Sequence, residues 1–159
     1  GLFVTGLGLG KVFFADRKPG AADGLLLTAE RVPNAGGVLE AGFTPRLPLL
    51  TELERAEVLL IFGSRLIDHF AEEAIAGALA SVPTTCLFAA HAGPLDRLLG
   101  TVVPVAVPAE KSGTYINVDG IRQAFCRAVE PPAGVVPEGE ILAGLANLLG
   151  LNLGDIDAR

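Results

Sequence analysis

The sequence predicts an α/β protein: an open, mostly parallel sheet flanked by helices, with an added β-hairpin near residues 114–127. Three observations carry that expectation. A run at 57–62 is apolar after Glu57 and ends at Gly63, a helical stripe follows at 70–79, and a second apolar run follows at 84–89. That is the order of a strand, a crossover helix and a parallel strand. A third apolar run at 102–107 extends the sheet. Finally, Asp119-Gly120 separates an extended stretch from Thr114 to Val118 from a returning stretch between Arg122 and Arg127, which is hairpin chemistry.

Taken in order, the chain begins with Gly6, Gly8 and Gly10 followed by Lys11. A glycine-rich loop with a lysine can cradle phosphate, but this spacing fits neither the dinucleotide fingerprint nor the nucleotide-triphosphate loop, so it reads as an edge. Residues 16–23, with Pro19-Gly20, read as a loop, and residues 25–28 as a short buried strand. The stretch 32–48 shows no helical period and reads as a long loop over the sheet edge, with tight turns at Asn34 and Gly36-Gly37. Thr51, with Glu54 three residues on, has the spacing of a capping box.

The run 57–62 reads as the central strand. In the helix at 70–79, Phe70, Ala74, Ile75, Ala78 and Leu79 share one face, Glu72 and Glu73 sit near the positive end, and Pro83 stops it. Strand, helix and strand then make a right-handed crossover. His91 follows the second strand, where open sheets place a ligand crevice, and His69 stands at a helix start; neither has a sequence-placed partner, and both read as structural or solvent-exposed. Residues 94–99 fit a short helix, and Pro104 marks the third strand as an edge or a bulge. Pro131-Pro132 and Gly134 make a stiff connector. Ile141, Leu142, Leu145, Leu148 and Leu149 share a last helical face that Gly150 stops, and residues 151–159 read as a loose tail.

Composition narrows the function. A chain of 159 residues fits a single domain. Half of it is hydrophobic and its mean hydropathy is +0.50, an excess that points to faces hidden against a larger body. No uninterrupted apolar run approaches the ~18 residues a membrane span needs, so no direct membrane insertion is expected. A net charge of −6 argues against nucleic acid. Two cysteines, Cys86 and Cys126, are too few for a cluster or a closed zinc site. Cys86 reads as a core thiol, and cytoplasmic residence is the default expectation.

The order Glu110-Lys111-x-Gly113-Thr114-Tyr115-x-Asn117-x-x-Gly120, followed by Arg122 and Gln123, resembles a segment of the molybdopterin oxidoreductase superfamily. It looks most like the C-terminal part of the large iron–sulfur subunit of NADH-quinone oxidoreductase, respiratory complex I. Pro33-Asn34-Ala35-Gly36-Gly37 with Gly42, the segment 58–64, residues 102–108, Pro131-Pro132 and Glu140-Ile141-Leu142 are similar too, in the same order. There are departures. Ile121 intervenes between the turn glycine and Arg122, no Ala-Asp pair stands before the third strand, and Gly63-Ser64-Arg65 replaces a Gly-Ser-Asn run that contacts a pterin nucleotide in the family. With the resemblance, the absence of Met reads as a piece of a longer polypeptide.

The resemblance implies a non-catalytic scaffold of that iron–sulfur subunit, supporting electron transfer from NADH to quinone. No cofactor is expected within this chain, iron–sulfur clusters are expected elsewhere in the parent, and the partners are other domains of the parent and other respiratory-complex subunits. The location implied is the cytoplasmic face of the inner membrane, reached through the complex. A second reading is a segment of an active molybdopterin-dependent oxidoreductase of the formate dehydrogenase type. A third is a stand-alone nucleotide-binding α/β domain using Gly63-Ser64 and His91. The candidate cofactor-binding residues are Gly63, Ser64, Glu110, Lys111, Asn117 and Gln123; no catalytic residue or metal ligand is assigned.

Overall fold

The computed structural model describes residues 12–13, 20–25, 34–43, 48–63 and 65–151, without the Arg65 side chain. The expectations for the glycine-rich start, the strand at 25–28, Ser64 and the tail beyond 151 fall wholly or mostly outside these residues.

The described elements are α1 (Ala35–Glu40), α2 (Leu50–Glu54), β1 (Val58–Phe62), α3 (Glu72–Ala80), β2 (Thr84–Ala89), β3 (Thr101–Pro104), β4 (Gly113–Ile116), β5 (Arg122–Phe125) and α4 (Glu138–Leu148), with short 3-10 turns at Arg65–Asp68, Pro94–Arg97 and Pro108–Glu110. The fold is the expected α/β arrangement. A three-stranded parallel sheet runs in the order β1-β2-β3, and β4-β5 form a separate antiparallel hairpin. Val58 stands opposite Thr84, Phe62 opposite Phe88, and Phe88 opposite Val103.

The parallel register sorts side chains onto two faces. Ile61, Leu87 and Ala89 share one face and form a core with Ile75, Ala78 and Leu79 of α3, Leu53 of α2 and Leu95 of the second 3-10 turn. Ile75, Leu87 and Leu95 are wholly buried. The spacing of Ile75, Ala78 and Leu79 is what lets α3 lay one stripe on that face.

Several expectations need correcting. Among the described residues the run 57–62 lies at the edge of the sheet and not at its centre: a continuous apolar run reports burial on faces and does not say which neighbours a strand pairs with. The stretch 32–48 is not all loop: α1 forms within it, entered from Asn34 in the left-handed region at φ 67°. Thr51 does not cap α2. The helix starts one residue before it, and Glu52 Oε2 accepts the Leu49 N–H at 2.9 Å. Gly93 N–H to Asp96 at 2.9 Å and Val107 N–H to Glu110 at 3.0 Å repeat that device at two 3-10 turns. The third strand ends at Pro104, as an edge strand should, and α4 opens at Glu138, three residues ahead of the expected start, and stops before Gly150 at φ 71°.

Candidate functional site

Two of the segments that carry the family resemblance meet in space. Asn34 Oδ1 accepts the Ile116 backbone N–H at 2.8 Å, tying the entry of α1 to β4 across 82 residues. Gly36 faces the same strand, where a Cβ would lie 3.2 Å from Ile116 Cγ2. A Cβ on Gly37 would collide with the Asn34 side chain. Both glycines are therefore what allows α1 to sit on the hairpin with Asn34 folded back toward Ile116. Arg122 on β5 pairs with Glu40 at the far end of α1. So Arg122 has a polar role even though Ile121 displaces it by one position from the family pattern.

The hairpin is closed differently from the expectation. Gly120 N–H bonds Asn117 O at 3.0 Å and Asn117 N–H bonds Ile121 O at 3.0 Å. Gly120 has φ 79°, and Asn34 is the non-glycine residue with positive φ among those described. A two-residue type I′ turn would need positive φ at Asp119 as well. The loop is thus the three-residue kind, a turn through Val118 and Asp119 ending on a left-handed glycine. Asn117 Oδ1 accepts the Asp119 N–H at 3.0 Å and the Ile121 N–H at 2.8 Å, so its oxygen is committed to holding that loop. On the outer face, Tyr115 and Phe125 stack with centroids 4.9 Å apart. The Phe125 ring covers Gly113, where a Cβ would lie 2.9 Å from Cζ.

The remaining candidates divide. Glu110 caps its own 3-10 turn, and Lys111 Nζ bonds Glu138 Oε2 at 2.6 Å, joining the loop after Pro108–Glu110 to the first turn of α4. Both residues are half-buried and engaged. Gln123 is exposed opposite Tyr115. Gly63 is exposed at the C-terminal end of β1, with φ 80° and its N–H on Phe88 O at 2.9 Å. No hydrogen bond or ion pair joins any two of Gly63, Glu110, Lys111, Asn117 and Gln123 among the described residues. His91 is exposed beyond β2, and His69 lies in the turn before α3 with Nε2 buried and without a partner. The apolar hollow lined by Pro48, Leu49, Leu50, Thr51 and Phe70 includes neither Gly63 nor His91.

Sequence reasoning missed Glu40, Ser112 and Glu138. Ser112 Oγ accepts the Arg127 N–H at 3.0 Å and so carries the hairpin one step past its last ladder pair. Only the position of Glu138 at a helix start carried a signal, since acidic residues favour that end. Among the described residues, no group of three or more His, Cys, Asp or Glu could hold a metal ion. Burial pushes the Cys86 thiol above its ordinary pKa.

No family model matches the chain. Over 93 residues it is 32% identical to one of the subunits of the tungsten-containing formylmethanofuran dehydrogenase 2 of Methanocaldococcus jannaschii, a match covering 57% of this chain and 21% of that protein. The chain thus spans about a fifth of the length of the curated relative it matches. The similarity is distant and partial, and it is to a member of the molybdopterin oxidoreductases. Among the described residues, no helix is long and apolar enough to cross a membrane.

Proposed function

We propose that the chain is a segment of the catalytic subunit of a molybdopterin-dependent oxidoreductase related to formylmethanofuran dehydrogenase. The observation that carries this reading is the 32% identity over 93 residues to a subunit of that enzyme. The likeness favours this alternative over the scaffold of NADH-quinone oxidoreductase, for which the comparison offers nothing specific.

Within such a subunit the segment's own work is positional. A pterin-held tungsten or molybdenum would supply the redox chemistry, with its metal ligands outside the described residues. The donor chemistry on hand fits that division: a carboxylate oxygen of Glu110, the Lys111 ammonium and the Asn117 carbonyl oxygen are spent on neighbouring backbone and on Glu138. What these bonds do is fix the loop after the sheet, the hairpin and the start of α4 relative to one another. Gly63 turns the chain at the end of β1, on the side where open sheets take ligands, with its own N–H engaged by Phe88 O.

The test is the metal and pterin content of the natural full-length protein. Tungsten or molybdenum with pterin in stoichiometric amounts is expected. Iron without pterin, tungsten or molybdenum would return the reading to an electron-transfer scaffold.

A further inference from the structure

The two edges of the parallel sheet are finished differently. Val105 N–H bonds Ala89 O at 3.2 Å, so the alternate residues Pro104 and Ala106 face outward. Pro104 has no N–H to offer there, and Ala106 N–H is taken by Val136 O at 3.1 Å in a parallel bridge. From Pro104 onward the β3 edge is blocked, which leaves only the Val102 backbone facing outward on that strand among the described residues.

The β1 edge is not blocked. Gly63 N–H bonds Phe88 O and Glu57 O accepts the Thr84 N–H, so residues 57, 59, 61 and 63 turn their backbone toward β2. Val58, Leu60 and Phe62 turn theirs to the open edge, with no partner among the described residues. Val-Leu-Leu-Ile-Phe carries no proline or charge to discourage pairing, and it is the continuous apolar run of a strand buried on both faces.

The second face of the sheet is open over the same strand. Val58 and Phe62 are 59% and 46% exposed, Leu60 and Cys86 are half-buried, and Phe62 stacks on Phe88 with centroids 4.6 Å apart. The connections from β1 to β2 and from β2 to β3 step in one direction, so right-handed crossovers place both on the face that α3 and Leu95 cover. Covering the other face requires a connection stepping the opposite way. The edge free to receive its strand is β1.

We infer that a further apolar β-strand pairs in parallel with β1, and that the helix connected to it covers the Val58-Leu60-Phe62 face. The inference rests on the reading above, in which the rest of the larger protein supplies this unit; the matched relative extends far beyond the aligned residues. One strand–helix unit answers both the open edge and the open face.

Amide hydrogen exchange on the natural full-length protein tests it. With the strand in place, Leu60 and Phe62 exchange within about tenfold of Leu59 and Ile61, and each particle holds one copy of the chain. Exchange at Leu60 and Phe62 about 100-fold faster than at Ile61 would overturn the inference. So would protection that disappears on dilution with loss of a second copy, since β1 would then be pairing with itself. Pterin analysis of the same preparation separates the two ideas. Protection without pterin keeps the strand and drops the oxidoreductase; pterin with an open edge does the reverse.

Discussion

The β4-β5 hairpin meets its neighbour through directional polar bonds, whereas the parallel sheet is held by apolar burial on one face. At the hairpin, Ile116 is the buried side chain, and its place is set by Asn34, by Gly36 and by the pair between Arg122 and Glu40. In the sheet, nine buried residues from strands, helices and turns form one cluster. Burial is tolerant of small shifts, while a 2.8 Å bond from a side chain to a backbone N–H is not. The sheet therefore gives the segment its stability, and the hairpin unit gives it a fixed shape.

Substitutions can break that contrast, starting with the largest effect. Leu87→Ala removes a wholly buried side chain from the centre of the core, and about 2–5 kcal/mol of stability should go with it. Chemical denaturation should show the loss in one global transition. Asn34→Ala should cost about 1–2 kcal/mol by leaving the half-buried contact at the Ile116 N–H unmade. Its signature is local: Ile116 exchanges faster while amides of β2 hold. A uniform acceleration across β2 would mean that hairpin and sheet are one cooperative body, and the contrast would fail.

The next two effects are smaller. Arg122 and Glu40 are both well exposed, so Arg122→Ala should cost less than about 1 kcal/mol, and raising salt should shrink the difference further. A salt-independent loss above that size would mark the pair as part of a larger interface. Without any substitution, the two thiols should separate by reactivity. Desolvation raises the Cys86 pKa, so at a given pH a smaller fraction of it is thiolate, and it should be alkylated more slowly than the exposed Cys126. The Cys86 rate should rise as pH climbs toward its elevated pKa. Equal rates at neutral pH would contradict its half-buried place on β2.

The sheet was legible because its signals are local. Val58 to Phe62, the stripe of Ile75, Ala78 and Leu79, and the run from Thr84 each announce their element, and Gly63 and Gly150 mark ends with φ 80° and 71°. The hairpin's position was legible from Thr114 and Gly120, but its turn was not, because Asp119-Gly120 serves a three-residue loop as well as a two-residue one. Helix α1 was hidden because two glycines in its first turn lower helix propensity by about 1 kcal/mol each relative to alanine. What decides it is Ile116 and Arg122, each 82 residues from its partner on or before α1. The strand order escaped for a related reason: an apolar run reports that a strand is buried, and its neighbours come from the rest of the chain. For the candidate site, Asn117 and Glu110 were found by motif, yet their actual bonds are to nearby backbone.

The most direct measurement of the central claim is metal and pterin content of the natural full-length protein, by elemental analysis and by fluorescence of the oxidised pterin. Tungsten or molybdenum together with pterin is expected, in fixed ratio to the protein. Iron alone, with neither pterin nor either of those metals, would contradict it.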